Sequence, residues 1–152
     1  MEEAAARSAI RPLVIVDHPI FAMLLPIPIV CFVGAVITDL AYQGSNGNLL
    51  WVNFSSWLIA AGLLFGAIAA VVALIDLLRG VAGARGGAGW ACFLLLLAAW
   101  IVELVNALIH ARDGWTAVVP LGLTLSVIGA VLILVSGWLW QTVRYRAAGD
   151  VR

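Results

Sequence analysis

The sequence predicts an all-α, polytopic membrane protein: four transmembrane helices in an up-down-up-down bundle, with both termini on the cytoplasmic side. Three observations carry this. Of the 152 residues, 64% are hydrophobic and 11% charged, with a mean hydropathy of +1.13, whereas soluble chains hold roughly 25% charged residues. Apolar runs span Ile20–Tyr42, Leu49–Leu78, Trp90–His110 and Ala117–Gln141. Each supplies the roughly 20 residues that a helix needs to cross about 30 Å of hydrocarbon. Finally, seven of the eight arginines precede the first run, lie between the second and third, or follow the fourth, leaving only Arg112 elsewhere. The positive-inside rule then puts both termini in the cytoplasm. Eight arginines balance eight acidic residues and no lysine occurs. This composition excludes disorder, a polybasic nucleic-acid binder and a disulfide scaffold, and it makes the lipid bilayer the first partner.

The elements follow in order. Residues 1–16 form a cytoplasmic segment, 17–146 the transmembrane domain, and 147–152 a cytoplasmic tail; the helices fall at about 18–42, 49–78, 89–110 and 117–142. The leader carries Glu2 and Glu3, its apolar run is long, and no small-x-small cleavage site follows. Helix one is therefore read as retained, not as a cleaved signal. Asp17 or His18 caps it, and Pro19 sits in its first turn, where a missing N–H costs nothing. Pro26-Ile27-Pro28 removes two backbone donors and predicts a kink about a third of the way across.

Helix two contains Gly62 and Gly66, extended by Ala70, and helix four repeats the device with Gly122, Ser126 and Ala130. Such small-residue stripes let helix backbones approach closely. They are read as packing faces inside the bundle, with a homo-oligomer interface as the alternative. Asp76 and Arg79 are spaced for an i, i+3 ion pair at the membrane surface. Cys31 and Cys92 lie at different depths and are expected as free, buried thiols. Trp51, Trp115, Trp90, Trp138 and Trp140 form interfacial belts, whereas Trp57 and Trp100 lie deeper, as packing residues.

Ionisable groups within a membrane are the first places to look for function. Glu103, Asn106 and His110 are spaced i, i+3, i+7 and share one helix face. Thr38 and Asp39 on helix one, and Asn53 and Ser56 on helix two, fall at similar depth. Together they predict a polar cluster in the outer half of the bundle. It serves either as a proton or ion pocket or headgroup hook, or as interhelical glue with Asp39 and His110 in the wet interface. His18 is the candidate cofactor ligand, but it lies at the opposite end from His110, so the two cannot hold one haem or metal within a single chain. No Cys-x-x-Cys-His, histidine pair or phosphate-binding glycine motif occurs. No catalytic set, metal site or cofactor is therefore expected, and haem enters only through His18.

Four blocks add a resemblance: His18-Pro-Ile-Phe-Ala-Met-Leu-Leu-Pro-Ile-Pro-Ile29, Thr38-Asp-Leu-Ala-Tyr42, His110-Ala-Arg-Asp-Gly-Trp-Thr116, and Ser136-Gly-Trp138 with Tyr145-Arg146. The chain from about Asp17 to Arg146 resembles a bacterial family of four-helix predicted membrane proteins of unknown function. The resemblance implies the four-helix fold, an inner-membrane location and, for some members, association with Rieske-type or cytochrome-like redox partners. It also implies further histidines where this chain has Phe21, Cys92 and Ala147, which with His18 would suit haem or metal; here only His18 is present.

The function expected is therefore that of a non-enzymatic bacterial inner-membrane protein, a structural or accessory subunit of a redox or transport assembly. The alternatives are a haem-binding or quinone-interacting electron-transfer subunit, and a small proton or ion pathway using Glu103, Asp39 and His110.

Overall fold

The computed structural model describes residues 19–80, 86–112 and 118–149, with side chains for residues 20–80, 86–112 and 118–143. His18, Trp115 and Arg85 lie outside the described residues, as do the N-terminal segment and the end of the tail. Five helices form: α1 (Pro19–Leu24), α2 (Pro26–Gly44), α3 (Leu49–Arg79), α4 (Gly87–His110) and α5 (Leu123–Gly149), the last preceded by a wide turn, Val118–Gly122. No strand occurs among the described residues.

The first membrane span, Ile20–Gly44, comprises α1 and α2. The helix is interrupted at Leu25, the residue before Pro26, as the two prolines predict. Leu25 stays right-handed (φ −57°, ψ −37°), and its N–H still reaches Phe21 O at 3.0 Å, so the chain bends without unwinding.

Asn48 caps α3, its side-chain oxygen accepting from Leu50 N at 3.1 Å, and Gly80 ends the helix at φ 64°, a left-handed conformation that glycine adopts without penalty. The fourth span corrects the expectation of one continuous helix from residue 117. Val119 is extended (φ −120°, ψ 125°), and regular helix begins only at Leu123. Pro120 lacks the N–H that a helical turn would use, and Thr124 Oγ1 donates to Pro120 O at 2.8 Å to start the next one.

Each of the four spans has a mean hydropathy of 2.4 to 2.8, yet only 28 to 33% of each is buried. The outward faces are thus as apolar as the core, the condition for helices solvated by lipid. In cross-section α2 packs against α3 and α5, and α4 against the same two helices, so the four spans close on themselves. Gly62 and Gly66 sit inside that closure. A Cβ on Gly62 would run into the Phe32 ring, and one on Gly66 would lie 3.3 Å from Trp100 Cδ1. The stripe on α3 is therefore filled by its own chain.

Cys31 and Cys92 are free and buried. Two tryptophans correct the sequence reading. Trp140 is 5% exposed and packs on Phe21 at a ring separation of 4.5 Å, whereas Trp57 is 71% exposed and faces outward. Trp100 does pack inward, donating from Nε1 to Leu63 O at 2.9 Å.

Candidate functional site

Nearer the end of the bundle that carries the 45–48 connection and the close of α4, every span contributes a buried polar side chain to one cluster. Asp39 comes from α2, Ser55 from α3, Glu103, Asn106 and His110 from α4, and Ser126 from α5; all are buried, and Asp39, Ser55, Glu103, Asn106 and Ser126 completely so. Helical spacing explains the α4 contribution, since i, i+3, i+7 puts its three residues on one inward stripe.

Asp39 is the centre. Its Oδ1 accepts from Ser55 Oγ at 2.5 Å and lies 3.0 Å from His110 Nε2; its Oδ2 accepts from Ser126 Oγ at 2.6 Å. Asn106 Nδ2 donates both to Ser126 Oγ at 2.8 Å and to Glu103 Oε2 at 3.0 Å. A continuous hydrogen-bonded chain thus runs from Glu103 through Asn106, Ser126 and Asp39 to His110. The far nitrogen of His110, Nδ1, lies 3.0 Å from Asn106 O, which can only accept. Nδ1 therefore carries a hydrogen, and one further proton is shared between Nε2 and Asp39. Asp39 Oδ1 and His110 Nε2 thus lie at ion-pair distance, a pair that is charged when the imidazole holds the shared proton, and no other such contact occurs among the described residues.

Helix α5 admits this chemistry because it offers little bulk. A Cβ on Gly122 would lie 3.0 Å from His110 Cε1, and one on Gly129 would overlap the Glu103 carboxyl group. Gly129 was not part of the Gly122–Ser126–Ala130 stripe. The close approach shifts by one residue because the helix turns 3.6 residues at a time.

The predicted candidates divide accordingly. Asp39, Glu103, Asn106 and His110 meet, and Ser126, read as a packing step, is also a hydrogen-bond partner. Asn53 does not join them. It is exposed on the outer face of α3, beside a shallow groove that it lines with Leu49, Leu50 and Ser56. Ser56 bonds back to Val52 O at 2.9 Å, and Ser55 occupies the inward position instead. Thr38 bonds locally to Gly34 O and Ala35 O. Asp39 and His110 are not in a wet interface, since their side chains are 0% and 1% exposed. The Asp76–Arg79 pair is also not formed: Asp76 is buried with Oδ2 lacking a hydrogen-bond partner among the described residues, and Arg79 is exposed.

At the opposite end, Phe21, Ala73, Cys92, Ser136 and Trp140 help line a cavity of about 10 Å³, enough for a single water molecule. Ser136 Oγ donates to Cys92 O at 2.9 Å there, while Trp140 Nε1 has no partner among the described residues. His18 lies outside the described residues, and both ring nitrogens of His110 are engaged, so it could ligate a metal only by giving up Asp39 or Asn106 O.

Four apolar spans closed around a buried polar hub define a multi-pass membrane protein. The chain belongs to the family described as Predicted membrane protein (DUF2231), which matches residues 17–151. No curated protein and no solved structure matches it.

Proposed function

We propose that the chain is a non-catalytic subunit of the bacterial inner membrane, with both termini in the cytoplasm, that serves as a structural or accessory component of a redox or transport assembly. One observation carries this: the polar side chains of the hub bond to one another across all four spans. Chemistry on a substrate needs groups open to meet it, whereas these are buried and, Glu103 Oε1 and Asn106 Oδ1 excepted, bonded to one another, so that they act as a clasp that fixes helix register. Asn106 also argues against a proton wire, because its amide donates to both neighbours and passes no proton between them. The arginine distribution supports the orientation.

Extraction in mild detergent followed by a native gel and mass spectrometry tests the role. The expected result is migration within a larger complex of defined composition. A solitary monomer with its own activity overturns it. A Soret band in the purified protein would replace this reading with the haem-binding one, with His18 as the ligand to substitute first. Proteolysis of sealed inverted vesicles checks orientation, with cleavage expected in both terminal segments.

A further inference from the structure

We propose that Glu103 is a proton-binding site within the bilayer, occupied as a neutral carboxylic acid while Asp39 and His110 form the charged pair of the hub. This goes beyond the accessory role, which the clasp serves whether or not Glu103 takes up a proton. The inference rests on the unequal treatment of two carboxyl groups in one cluster. Asp39 has both oxygens filled by three hydrogen-bond partners from three other helices, at 2.5, 2.6 and 3.0 Å. Glu103 receives one donor, Asn106 Nδ2 on Oε2, and its Oε1 is fully buried with no hydrogen-bond partner.

The surroundings of Oε1 explain why. It lies against Gly129, so closely that a Cβ at that position would overlap it. The Gly129 backbone faces it from α5, where N–H groups are already used within the helix. A carboxylate held there would leave half its charge against hydrocarbon, which is far more costly than burying a neutral hydroxyl.

Charge counting agrees. The ionisable groups facing Glu103 are Asp39 from α2 and His110 from its own helix; α3 and α5 present only the hydroxyls of Ser55 and Ser126. The imidazolium is already neutralised by Asp39, so an ionised Glu103 would give the hub a net negative charge with no cation to meet it. A proton on Glu103 brings the hub to zero. Among the described residues, the arginines with side chains in view, Arg79 and Arg112, are exposed and outside the cluster.

Infrared spectroscopy reads this directly. Glutamate occurs only at positions 2, 3 and 103, so a Glu2→Gln, Glu3→Gln chain carrying ¹³C-glutamate has Glu103 as its sole labelled carboxyl group. At neutral pH in lipid, the expected result is a carboxylic-acid C=O band, above the amide region, that shifts on labelling. It should vanish entirely in Glu103→Gln and survive in Asp76→Asn. No such band in the folded unsubstituted chain overturns the proposal. So does a band that ignores the glutamate label, because the proton then sits on an aspartate. The labelled chain decides the matter without any substitution in the hub, so a failure of Glu103→Gln to fold would not obscure it.

Discussion

At one end of the bundle, six polar side chains from four spans hydrogen-bond to one another around Asp39. Two atoms of that cluster, Glu103 Oε1 and Asn106 Oδ1, lack partners among the described residues, as Asp76 Oδ2 and Trp140 Nε1 do at the other end, where packing around Phe21, Cys92 and Ile133 and the hydrogen bond from Ser136 Oγ to Cys92 O hold the helices. All four spans are apolar along their length. Lipid gives little drive for helices to associate, so each end needs a direct attraction. The hub uses directional bonds, which fix register and rotation because three helices converge on the Asp39 carboxyl group. The other end has one interhelical bond among the described residues, Ser136 Oγ to Cys92 O, and otherwise uses dispersion contacts such as Phe21 on Trp140, which tolerate small shifts. Order of assembly should follow this difference, with the hub determining which faces meet and the apolar end filling the remaining space.

Removing the centre of the hub gives the largest expected effect. Asp39→Ala leaves His110, Ser55 and Ser126 without their common acceptor, and breaking a buried pair costs about 3–5 kcal/mol. Unfolding titration in mixed micelles should show that loss. A loss no greater than that of an ordinary polar-to-alanine change would mean the two ends are held alike. Gly129→Ala comes next. Its methyl group must displace the Glu103 carboxyl, an overpacking expected to cost about 1–3 kcal/mol. In the same titration, Gly87→Ala is the control, since nothing lies within 4 Å of a Cβ there.

Much of this architecture is legible in the sequence, and what is not fails for geometric reasons. Four spans follow from composition alone, and the Glu103–Asn106–His110 face follows from helical spacing. Depth also places Asp39, whereas on helix two the i, i+3 pair Asn53 and Ser56 points away from Ser55, the residue that joins the hub. A helix rotates about 100° per residue, so two positions, about 200°, separate an exposed Asn53 from a fully buried Ser55, and one position separates Ser55 from the half-buried Ser56. Trp138 and Trp140 show the same sensitivity, with 70% and 5% exposure. Ser126 was legible as a small residue but not as a donor, because the same side chain serves close packing and hydrogen bonding. Pattern reports the first role only.

Ser126→Ala separates those two roles. Alanine preserves the small volume and removes the hydroxyl that links Asn106 to Asp39. Interhelical hydrogen bonds in membranes average about 0.6 kcal/mol and reach about 1.7 kcal/mol. The fully buried position and a charged acceptor place this substitution towards the upper value. Destabilisation of that size in micelle unfolding would confirm a bond-held end. A negligible change would reduce Ser126 to a spacer and weaken the contrast.

Trp140→Phe probes the apolar end and has the smallest expected effect. The substitution loses part of a ring that packs on Phe21, and on that ground it should destabilise. It also removes a buried N–H without a partner, a group whose desolvation costs about 1–3 kcal/mol, so the two changes oppose each other. The expected net change is within about 1 kcal/mol. The adjoining cavity of about 10 Å³ supplies the competing outcome, since it has the size of one water molecule. A water bonded to Nε1 would leave no desolvation penalty to relieve, and Trp140→Phe would then show the full packing loss. The measured magnitude therefore reports whether the end opposite the hub is dry, with the Ser136–Cys92 bond standing alone among apolar contacts, or contains a hydrated, hydrogen-bonded centre of its own.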